Sequence, residues 1–143
     1  MQTAPVQRGS LLVRTIWSVC LLIGCANHAR ILLRHGLLWD YGGVGWASSA
    51  YWTSLTLLDP LAALLLFVRP KLGIAGTILL IVTNVAHNIA VTALYAPEGE
   101  FLTRASNPFM LSQIGFMLFV AATVHIAWKG VQSGRESQPV QVR

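Results

Sequence analysis

Four stretches of this chain, roughly residues 11–33, 46–68, 73–95 and 108–128, are apolar over the length of a membrane crossing. A helix needs ~20 residues to traverse a hydrocarbon core of ~30 Å. Membrane-spanning strands would be shorter and strictly alternating, a pattern these segments lack. The expected fold is therefore all-α: a polytopic membrane protein, a four-transmembrane-helix bundle forming one membrane domain over residues 1–143. The tails, 1–10 and 129–143, read as polar and flexible.

Charge supports this reading. Only 10% of the 143 residues are charged and 55% are hydrophobic, against about 25% charged in a soluble domain. Charge this sparse leaves too little hydrated surface for a soluble fold, so the lipid bilayer is the expected surroundings. The net charge of +5 does not point to nucleic acid, because no basic run or stripe accompanies it.

The basic residues sit at segment ends. Arg8, Arg14, Arg69, Lys71, Lys129, Arg135 and Arg143 fall on one side, and Arg30, Arg34 and Arg104 on the other. That imbalance favours both termini in the cytoplasm, and the chain resembles in its general look the small four-helix proteins of the bacterial inner membrane. Trp39, Trp46, Tyr51, Trp52 and Tyr95 cluster towards the outer interface and Trp128 marks the inner one.

Helix punctuation separates the spans. Arg69-Pro70-Lys71 reads as a tight turn, Ala96-Pro97 as a stop, and Tyr41-Gly42-Gly43 as a loose connection. Asn107-Pro108 is an N-cap followed by proline at the first helical position. Leu22-Ile23-Gly24-Cys25 has the form of a lipoprotein processing signal, but the residues after Cys25 read as continuing helix, which argues against cleavage there. Cys20 and Cys25 lie about 140° apart on one helix, so they are poor disulfide partners and read as packing residues.

The informative exceptions to apolarity are in mid-span. A charged residue at the bilayer centre costs about 3 kcal/mol on insertion scales unless it is neutralised, paired or wet. Asp59 occupies that position in the second span, and Asn84, His87 and Asn88 lie near it in the third. Counting rise from the inner ends puts Asp59 and Asn84 at nearly the same depth, with His87 and Thr56 slightly further out. Facing at ~100° per residue groups Thr53, Thr56 and Asp59 on one stripe and Thr77, Asn84, His87, Asn88 and Thr92 on another. A buried polar seam is therefore expected, with Asp59 opposite Asn84 and His87. Pro60 frees a backbone carbonyl near Thr56, which needs a new donor in a lipid setting. His28 and Gln113 lie near the outer ends of their spans and would close the cavity from outside.

This seam supports two kinds of reading. It is a site for a small apolar or amphipathic ligand or a proton, or it is hydrogen bonding that holds helices together at ~1 kcal/mol per contact. Small residues at Gly73, Ala75, Gly76, Gly115, Ala121 and Ala122 fit an interaction subunit, an immunity-type protein docking another membrane protein, or a homodimer. An intramembrane enzyme acting on a lipid or quinone would use His87 and Asp59 as acid and base, but no second reactive group or catalytic motif accompanies them. No catalytic residue, cofactor or metal site is assigned; no two histidines have the i, i+3 or i, i+4 spacing of a preformed pair.

Overall fold

The computed structural model describes residues 3–37 and 39–136. It contains α1 (Thr3–His35), α2 (Trp46–Val68), α3 (Pro70–Tyr95), the short α4 (Phe101–Ala105) and α5 (Pro108–Glu136), with no strand among the described residues. All but α4 are long and apolar enough to cross a membrane. The protein is a multi-pass membrane four-helix bundle. Neighbours around it run α1, α2, α3, α5 and back to α1, the up-down-up-down arrangement that short connections impose. The start of α1, the α2–α3 turn and the end of α5 thus share one end, here termed the terminal end. The opposite loop end carries the other two connections.

Local chemistry sets the helix boundaries. Arg69 (φ −137°, ψ 70°) ends α2 and precedes α3, which begins on Pro70. Proline suits that place because the first N–H of a helix has no internal partner. Three residues on, Gly73 lies against the backbone of Leu65 and Leu66, where any Cβ would overlap it. Asn107 Oδ1 accepts the N–H groups of Phe109 (2.9 Å) and Met110 (3.0 Å), capping α5 as its sequence implies. Ala96 terminates α3.

One expectation needs correcting. The supposed flexible tails are partly helical: α1 begins at Thr3 and α5 runs on to Glu136. The remaining tail positions, 1–2 and 137–143, lie outside the described residues. The physical reason is tertiary. Fully buried Ser10 donates through Oγ to the Ala127 carbonyl (2.7 Å), and Gly130 abuts Ser10 so closely that a Cβ there would collide with it. These contacts hold the first and last turns together across the whole length of the sequence. The connection between α3 and α5 contains the short α4. Its exposed Glu100–Arg104 ion pair (2.9 Å) bridges one helical turn.

The terminal half of the bundle is densely packed. Trp17 is fully buried between α1 and α5, and its indole N–H donates to Thr123 Oγ1 (3.1 Å). Leu66, Ile74 and Thr77 are fully buried beside it. Arg14 turns inward and donates to the carbonyls of Leu66 (2.6 Å) and Ser10 (3.3 Å), tying α1 to the end of α2. Outward faces carry exposed Leu57, Leu61, Leu64, Leu79 and Leu118, the apolar coat that lipid contact requires.

Candidate functional site

Packing loosens towards the loop end, where a cavity of about 290 Å³ opens inside the bundle. Helix α1 contributes Cys20, Gly24, Asn27 and His28 to its wall; α3 contributes Asn84; α5 contributes Ser112 and Gln113. Asp59 of α2 is among the lining residues. The residue is only 7% exposed, and among the described residues no hydrogen bond or ion pair reaches its side chain. Gly24 makes room for it: a Cβ at that position would stand 3.2 Å from Asp59 Oδ2. Among the described residues no Lys or Arg lines the cavity.

A second cavity of about 400 Å³ adjoins the first on the loop-end side and shares Asn27, His28, Phe109 and Gln113 with it. Asn88 stands in its wall and organises the polar groups around it. Its Oδ1 accepts the Trp52 indole N–H (2.8 Å), while its Nδ2 donates to Asn84 Oδ1 (3.2 Å) and Gln113 Oε1 (2.6 Å). The amide nitrogens of Asn84 and Gln113 are left without partners among the described residues, as is Asn27 entirely. His28 Nδ1 is buried without a hydrogen bond. The two cavities thus hold a carboxylate and several uncommitted amide groups.

Aromatic rings form the rim. Tyr41 adopts a left-handed backbone (φ 51°) in a turn closed by the Asp40 carboxylate, which accepts the Gly42 N–H (3.1 Å). That turn lays the Tyr41 ring 4.5 Å from Trp52 and 4.8 Å from Trp39, which in turn stacks on His35 at 4.0 Å. Burial in this cluster pushes the Tyr41 hydroxyl above its ordinary phenol range.

The expected seam is therefore present in part. Asp59 and Asn84 share the inner cavity, Asn88 joins them through Asn84, and His28 and Gln113 border both cavities. His87 and Thr56 line neither cavity. His87 lies about 60° around the helix from Asn84, which turns it towards the rings of Tyr51 (4.5 Å) and Trp52 (5.4 Å). Thr56 is offset from Asp59 by the same angle. Its Oγ1 and His87 Nε2 are buried without hydrogen bonds.

The carbonyl of Thr56, freed by Pro60, does find a donor: the Cys25 thiol at 3.4 Å. Sequence reasoning missed Asn27, Cys20, Gly24, Ser112 and Trp52 at the site. The signal for the first three was available, because Cys20, Gly24 and Asn27 recur at helical spacing and continue the stripe of Ser10 and Trp17.

No family model, curated protein or solved structure matches this chain.

Proposed function

We propose that this protein resides in a bacterial inner membrane with both termini cytoplasmic, and that it binds or transports a small apolar or amphipathic molecule in the cavity at Asp59. Asp59 is the charge or proton carrier, and Asn84 and Asn88 orient the ligand. The observation that carries this reading is a carboxylate almost wholly buried, without a partner among the described residues, on the wall of a cavity. A residue serving only to join helices would have its oxygens occupied by a neighbouring helix, because an unmade bond in an apolar medium costs more than a made one gains. The orientation is supported by the clustering of basic side chains at the terminal end.

The test is ligand affinity against pH for wild type and Asp59→Asn in reconstituted membranes. Among the described residues His28 is the other histidine or carboxylate facing the inner cavity, so His28→Gln is measured alongside. Affinity is expected to vary with pH in wild type and in His28→Gln, and to lose that variation in Asp59→Asn. An unchanged profile in Asp59→Asn overturns the reading.

A second reading, an interaction subunit or homodimer, is supported by Gly76 and Gly115. Both have open space where a Cβ would project, so they are available to a partner helix. In that case Gly76→Leu abolishes function while Asp59→Asn preserves it.

A further inference from the structure

The inner cavity lies on the seam between α1 and α5, and that seam changes character along its length. Towards the terminal end the two helices touch directly. Ser10 bonds to Ala127, Gly130 abuts Ser10, and Trp17 bonds to Thr123. Continuing the same faces towards the loop end brings Cys20, Gly24 and Asn27 of α1 opposite Phe116, Ser112 and Phe109 of α5, and there the cavity takes the place of contact. Its wall at this point is also the outside of the bundle: Ile23 is 66% exposed and Phe109 60% exposed while both line the cavity. In a membrane that outside is hydrocarbon. Asp59, on α2, faces the gap from the interior.

Volume and charge narrow what fits. At ~30 Å³ per water-sized group, a cavity of about 290 Å³ holds roughly ten such groups, a polar head and part of an alkyl chain but not the whole of a longer tail. The unpaired carboxylate, and the absence of Lys and Arg from the wall among the described residues, favour a cation. A primary ammonium offers three donors in a compact volume, enough for Asp59 and an uncommitted amide oxygen such as that of Asn27.

We infer that the ligand is a membrane-dissolved primary amine with an apolar tail, admitted sideways between α1 and α5, with its ammonium group at Asp59 and its tail left in the lipid. This rests on the ligand-binding reading of the cavity and adds the chemistry of the ligand and its route.

The experiment uses the full chain in lipid nanodiscs and two probes, butylamine and a dodecylamine carrying a photoreactive diazirine at the tail end. Adducts are mapped by mass spectrometry. Expected are adducts on the lipid side of the gap, at Val19, Ile23, Ser112 or Phe116. Their yield falls at least about tenfold with excess butylamine and in Asp59→Asn. Adducts that butylamine suppresses but that map to Tyr41, Trp52 or Val91 overturn the sideways route and leave the cavity reading standing. Adducts that neither butylamine nor Asp59→Asn reduces overturn both. Should Asp59→Asn not fold, competition by butylamine in wild type decides the same outcomes.

Discussion

The thiol of Cys25 illustrates how a single residue answers a problem set elsewhere in the chain. Pro60 deprives α2 of one backbone donor, and the Thr56 carbonyl left over is met by Cys25 Sγ at 3.4 Å. In a lipid setting that carbonyl has no water to fall back on. Cys25→Ala is therefore expected to lower stability by ~1 kcal/mol, and Cys25→Ser to restore most of it, because the hydroxyl offers a stronger donor of similar reach. Thermal unfolding of the detergent-solubilised variants checks this; equal melting of all three would show that the contact contributes nothing. At this scale the sequence was legible where depth decides and illegible where facing decides. Asp59 and Asn84 meet at one cavity because their distances from the helix ends match. His87 and Thr56 miss it by about 60°, a rotation set by how each helix rolls in the assembled bundle, which residue spacing within one helix does not report. Arg14 and Trp52 read as interface markers by type, yet Arg14 bonds to the Leu66 carbonyl and Trp52 to Asn88, partners more than thirty residues distant in sequence.

At the scale of elements, the association of α1 with α5 depends on small side chains at their terminal ends. Gly130 leaves no room for a Cβ against Ser10 and the Val6 carbonyl, whereas Gly115 on the same helix faces open space. Gly130→Ala should destabilise by ~1–3 kcal/mol, the usual consequence of overpacking. Gly115→Ala should be neutral or slightly stabilising, since alanine is the better helix former. Comparing the two melting temperatures isolates packing from helix propensity; equal effects would refute the close approach. This pairing also explains why the helix limits were only partly readable. Hydropathy located the four spans, because lipid demands an unbroken apolar length. It could not extend α1 back to Thr3 or α5 on to Glu136, since those polar turns owe their order to each other and not to the bilayer. The 33 residues of α1 span about 50 Å, well beyond the hydrocarbon core.

For the whole molecule, orientation decides which side of the membrane the loop end occupies. In the proposed orientation, with both termini in the cytoplasm, the loop end and its aromatic rim would face the outside of the cell. The exposed Glu98 marks that side and Gln132 the other. With Cys20 and Cys25 replaced by serine, Glu98→Cys is expected to react with a membrane-impermeant maleimide in intact spheroplasts, and Gln132→Cys only after the membrane is opened. The reverse pattern would invert the topology.

The uneven packing of the bundle also bears on what kind of device it is. One half is open and the other is stoppered by Trp17, with the Ser10–Ala127 and Arg14–Leu66 bonds as its fastenings. A guest arriving at Asp59 therefore meets a cul-de-sac, and the way in is also the way out. In this conformation the proposed ligand site is a berth, where a guest would lodge and depart on the same side. Turning it into a conduit would require those fastenings to part together, so a carrier cycle, if one operates, has its gate at Trp17.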